Sequence, residues 1–168
     1  MGFALLLAAC SSKGSTGESG SPNPGGPGPG QEQGGGGIPC SLATQSEVSA
    51  ALGTSVMAGK VGNTGDATLV LCDFDVQGTN GLVSVGVKTG VTKANLADAS
   101  GVGPGSKPAQ GVGEAAVEAC GDSNVRYCTL AAYTNGHVVF VQVSLRGGKD
   151  DALLATARTL ALAAIPRL

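Results

Sequence analysis

Hydrophobic and polar positions alternate over 68–76, where Val70, Cys72, Phe74 and Val76 fall on one side and Asp73 and Asp75 on the other. A period of two predicts a half-buried strand. Gly78-Thr79-Asn80-Gly81 supplies turn residues, and 82–87 alternates again through Val83, Val85 and Val87. Together they predict a hairpin. Strands are likewise predicted at 114–119 and 125–133, with a seven-residue connection between Cys120 and Cys128, and at 137–145, where Val139, Val141, Val143 and Leu145 share a face. A cysteine, five or six residues, Thr-Asn-Gly and a valine-rich strand occur in that order at Cys72 and again at Cys128, an echo open to duplication or to chance.

Helical spacing appears at both ends of this region. Thr44 and Glu47 fit a capping box, Leu42 and Val48 a hydrophobic staple, and Gly53 a left-handed stop, so a short helix is predicted over about 45–52. Leu153, Leu154, Ala157, Leu160, Ala161, Ala164 and Ile165 form one broad apolar stripe. That second helix opens on Asp150-Asp151, which suit its positive end, turns Arg158 outward, and stops at Pro166. Residues 92–99 predict a weak helical turn or two, and 101–113 a Gly/Pro loop. The fold class is therefore α+β: an antiparallel sheet of about five or six strands, with N- and C-terminal helices packed on one face.

Ahead of this domain, 40–168, the pattern changes. An apolar run over 3–9 ends in Leu7-Ala8-Ala9 and meets Cys10-Ser11-Ser12. That order matches a bacterial lipoprotein signal, cleaved before a cysteine whose sulfur takes lipid. Segment 1–9 lacks the positive start of a signal peptide, so the true start is expected upstream. Residues 10–39 hold the lipidated cysteine and a Gly/Pro/Ser stretch with no apolar surface to offset ordering, expected to be a disordered tether. A flexible coil of its 29 residues after Cys10 reaches roughly 30 Å.

Charge narrows the partners. The net charge is −2 and no Lys/Arg block occurs, which excludes nucleic acid and a polybasic lipid-binding surface. The membrane is expected as a partner through the lipid on Cys10. Five cysteines are present; with Cys10 assigned to the anchor, Cys40, Cys72, Cys120 and Cys128 remain as an even set, as in a disulfide-bonded exported protein. Of the three possible pairings, Cys40 with Cys72 and Cys120 with Cys128 is preferred, the first pinning the opening helix to a hairpin and the second stapling a strand connection. Neither pair has redox Cys-x-x-Cys spacing.

Catalytic chemistry is thin. His137 is the one histidine, placed just after a turn where exposure is ordinary. A zinc site would lack ligands once the cysteines pair, and Asp73 with Asp75 supplies few oxygens for calcium. Gly59-Lys60-Val61 has neither the spacing nor the hydroxyl of a phosphate loop. No cofactor or metal is expected. Val138 and Phe140 lie opposite the helix-facing valines, and are either covered by further structure or form a partner-binding patch.

The opening Cys40-Ser41-Leu42-Ala43-Thr44-Gln45-Ser46-Glu47-Val48 through Leu52-Gly53, with Cys72, Gly111-Val112-Gly113-Glu114-Ala115 and the closing Ala/Leu helix, resembles the actinobacterial lipoproteins that carry a domain of unknown function. The resemblance implies an α+β domain at the cell surface; Cys120 and Cys128 depart from its pattern. The expected function is a non-enzymatic, lipid-anchored module on the outer face of the membrane, binding an envelope protein or ligand. Two alternatives are a carrier, marked by a Val- and Leu-lined cavity, and a hydrolase using His137.

Overall fold

A computed structural model describes residues 38–168; the signal, Cys10 and nearly all of the tether lie outside the described residues. Seven antiparallel strands form one sheet in the order β1-β2-β3-β7-β6-β5-β4. They are β1 (Lys60–Gly62), β2 (Leu69–Asp75), β3 (Leu82–Lys88), β4 (Lys107–Ala109), β5 (Ala115–Ser123), β6 (Val125–Thr134) and β7 (His137–Leu145). Two meanders thus meet at the central β3–β7 pair, where Val85 stands opposite Val141. The count exceeds the expected five or six because two three-residue edge strands, β1 and β4, add to the long ones.

The first face is apolar because apolar residues of β2, β3, β6 and β7 repeat with period two. Phe74, Val83, Val85, Leu130, Val139, Val141 and Val143 lie there, all essentially inaccessible to water. Against them pack α2 (Gln45–Leu52), through Val48, and α4 (Asp150–Ala164), through Leu153, Ala157, Leu160 and Ala161. The alanines let α4 approach the sheet closely. No helix among the described residues is long and apolar enough to cross a membrane.

Helix α2 starts as its sequence dictates. The Thr44 hydroxyl accepts from the Glu47 amide at 3.3 Å, and the Glu47 carboxylate accepts from the Thr44 amide at 2.8 Å. Gly53 ends it at φ 70°. One turn (Ile38–Ser41), α1, precedes it, and Leu42 between the two is fully buried.

Glu47 has a second task that sequence spacing did not show. Arg167, in the turn after α4, donates to both of its carboxylate oxygens and to the Leu42 carbonyl at 2.9 Å. The Arg167 hydrogen bond first, and the Thr44 amide next, bring the Glu47 carboxyl from its usual 4.5 down to about 2. A carboxyl depressed in the folded state stabilises fully above its unfolded value and loses that contribution as pH falls through the folded one. The expected result is a loss of stability between about pH 4.5 and pH 2 that Glu47→Gln flattens, read from urea midpoints across that window.

The Cys72 and Cys128 hairpins make the sequence echo concrete, and also limit it. Asn135 at φ 48° and Gly136 at φ 82° form a tight turn joining β6 to β7, the backbone that Asn-Gly adopts readily. The β2–β3 connection is longer, with Val76 donating to the Gly81 carbonyl at 3.0 Å. The segments that follow go to opposite faces: α4 to the first, and the 91–102 segment with α3 (Leu96–Ala99) to the second. The likeness stops at the hairpins.

Candidate functional site

The densest chemistry lies where β5, β6 and the start of α4 meet. Cys120 and Cys128 are bonded and sit directly opposite one another in the β5–β6 register, with Cα atoms 4.0 Å apart. The expected seven-residue connection is therefore corrected: both strands run past the cysteines, through Gly121–Tyr127 and Asp122–Arg126 pairs, to a turn at Asn124 with φ 59°. Gly121-Asp122-Ser123 has the composition of a loop, but Arg126 and Asp122 face each other across the hairpin and favour its continuation.

Arg126 then reaches α4. Its Nε and Nη2 donate to the two oxygens of Asp150 at 2.6 and 2.5 Å. That guanidinium holds the Asp150 carboxyl below the usual carboxylate range. Residue 149, the helix N-cap, contributes no side-chain cap, so Asp150 and Asp151 supply the negative charge at this helix end.

One strand further out, Glu118 is buried on the helix-facing side of β5, its side chain 3% exposed. Arg158 of α4 grips it, Nε at 3.0 Å and Nη2 at 2.8 Å from its oxygens, and Lys107 stands 4.0 Å away. The outward orientation expected for Arg158 is thus corrected: its position on the helix lies over the sheet edge, where the carboxylate draws it in. A hollow of about 300 Å³ opens here between Gly105, Lys107, Glu118, Cys120, Asp150 and Asp151.

The other disulfide joins Cys40 to Cys72 across 32 residues. Cys72 is fully buried, and the Gly59 backbone lies against its sulfur so closely that a Cβ on Gly59 would fall 2.6 Å from Sγ. All four domain cysteines are paired as expected, and Cys10 lies outside the described residues.

On the second face, Val138 is fully buried beneath Val91, Leu96 and Val102, with Val117 and Ala131 beside it. The structure takes the covered alternative there, because 91–102 folds across the strand. Phe140 is 5% exposed, so it is no open adhesive patch either. One row along, Asp73, Ser84, Gln142 and Thr129 stand in register across β2, β3, β7 and β6, and Ser84 Oγ donates to Asp73 at 2.6 Å. Asp75 pairs with Lys60 at 2.6 Å, which occupies the second carboxylate considered for calcium.

His137 is exposed at the β6–β7 turn, opposite Thr134, and among the described residues no serine or carboxylate hydrogen-bonds to it. A hydrolytic triad is not assembled around it. Larger hollows, of about 530 and 340 Å³, are walled by the β1–β2 connection with its strand ends, 61–70, and by 78–80 with Arg146, and not by the valines and leucines between sheet and helices.

The fold and these sites define a class: a disulfide-stapled α+β domain with a one-layer antiparallel sheet. Comparison with protein-family models, curated proteins and solved structures found no match to this chain.

Proposed function

We propose that the chain is an extracytoplasmic lipoprotein: a non-enzymatic binding module, held at the outer face of the membrane by lipid on Cys10 and carried on the 10–39 tether. The cysteine arithmetic carries this reading. Five cysteines are present, the domain joins four in two disulfides, and the one left over stands directly after Leu7-Ala8-Ala9. Two disulfides in a domain of roughly 130 residues belong to an oxidising compartment. Cleavage before Cys10 removes the apolar run, so attachment falls to acyl chains, which hold stably when two or more are present.

Support for binding over catalysis is the dispersal of reactive groups: His137 is isolated at a turn, and Glu118 and Asp150 are each gripped by arginine. The expected partner is an envelope protein or ligand. A carrier role has less support, since the space between sheet and helices is filled by packed side chains.

The test is fractionation of cells expressing the wild type and Cys10→Ala. Wild type is expected in the membrane fraction and the detergent phase, and Cys10→Ala in the soluble fraction. Retention of Cys10→Ala in the membrane contradicts the anchor.

A further inference from the structure

We propose that Cys120, Cys128 and Asp150 form a thiol-gated site for a soft divalent cation of the zinc type, closed while the cysteines are joined and opened when a dithiol reduces them. Cys120 Sγ, Cys128 Sγ and an Asp150 carboxylate oxygen lie within 4.8 Å of one another. Zinc takes thiolate, imidazole and carboxylate ligands in a tetrahedron, with zinc–sulfur bonds of about 2.3 Å, which sets two bound sulfurs about 3.8 Å apart. Opposed hairpin positions with Cα atoms 4.0 Å apart present thiolates at that kind of separation once the bond between them is broken.

The supports on either side are rigid. Nine registered pairs hold β5 to β6, so the pairing of the two strands does not rest on the disulfide alone. Asp150 is the first residue of a 15-residue helix, and the Cys128 sulfur lies 3.8 Å from its backbone carbonyl. The hollow lined by Cys120, Asp150, Asp151, Glu118 and Lys107 leaves space for a water as fourth ligand. Such an open position distinguishes a binding site from a closed structural one.

The chemistry balances. The dithiol donor gives two electrons, the Cys120–Cys128 bond breaks, each sulfur takes a proton, and the donor leaves as its own disulfide. Cation binding then expels both thiol protons and compensates two thiolates. Arg126 opposes this step, because its guanidinium already holds both Asp150 oxygens. Arg126 therefore sets the affinity, and its removal has the opposite sign from loss of a ligand.

The experiment titrates Co²⁺, as a spectroscopic stand-in for zinc, into the full chain with and without a phosphine reductant. One equivalent with a thiolate-to-cobalt charge-transfer band is expected in the reduced protein and none in the oxidised. The band is expected to persist in Cys40→Ser/Cys72→Ser and vanish in Cys120→Ser. Asp150→Asn is expected to weaken binding about tenfold or more, and Arg126→Gln to tighten it. Thermal unfolding of the reduced chain covers poor folding: Co²⁺ is expected to raise the midpoint of the wild type and not of Asp150→Asn. A reduced chain that neither shows the band nor gains stability, or a band that survives Cys120→Ser, overturns the proposal.

Discussion

Replacing Cys40 and Cys72 together by serine is expected to lower the folding stability by about 3.5–4 kcal/mol. The magnitude comes from the 32-residue separation, since a cross-link restrains the unfolded chain more as its loop grows. Native packing adds to it. Cys72 is fully buried with the Gly59 backbone against its sulfur, where a serine hydroxyl has no place to hydrate. For a domain of this size the unfolding midpoint should fall by roughly 10–20 °C. The equivalent change at Cys120 and Cys128, separated by 8 residues, is expected to cost about 2.5 kcal/mol. Scanning calorimetry of both double variants checks the order, and a larger drop for the short loop would contradict it.

Arg158→Ala is the second large effect, expected at about 3 kcal/mol. Glu118 is 3% exposed, and after the change only Lys107, 4.0 Å away on an exposed side chain, faces its carboxylate. An unpaired buried charge carries the full desolvation penalty, whereas Arg158 is 42% exposed and can hydrate if its partner is lost. Glu118→Gln should therefore cost clearly less than Arg158→Ala. That asymmetry separates this pair from a surface ion pair, where both changes would be small. Urea midpoints of the two variants at neutral pH read it directly; equal losses for both would count against a buried charge.

The parts of this fold legible in the sequence are those with a repeated period. Val139, Val141 and Val143 declare β7, and the Thr44–Glu47 box with Gly53 declares α2, because each signal is local and redundant. The edge strands were not legible. Lys60-Val61-Gly62 and Lys107-Pro108-Ala109 are too short to show alternation, and Pro108 looks like a breaker until it is placed on an edge, where its missing N–H costs nothing. The disulfide pairing followed from parity and placement, while the direct opposition of Cys120 and Cys128 did not, because Gly121-Asp122-Ser123 has turn composition.

Long-range polar pairs were the least legible. Glu118 and Arg158 are 40 residues apart, and Glu47 and Arg167 are 120 apart. No spacing rule connects them, and Glu47 already has a local role in its capping box. The corner of Cys120, Cys128 and Asp150 became visible only when the start of α4 was seated beside the β5–β6 hairpin. Val138 shows the converse: its apolar second face was readable, and what covers it, Leu96 and Val102, came from a segment with almost no periodic signal.

The central claim is the lipid on Cys10, and the mass of the N-terminal peptide from membrane-extracted protein tests it most directly. A peptide that begins at Cys10 and carries acyl chains through its sulfur is the predicted result. A peptide that starts upstream of Cys10 and keeps an unmodified thiol would contradict the anchor.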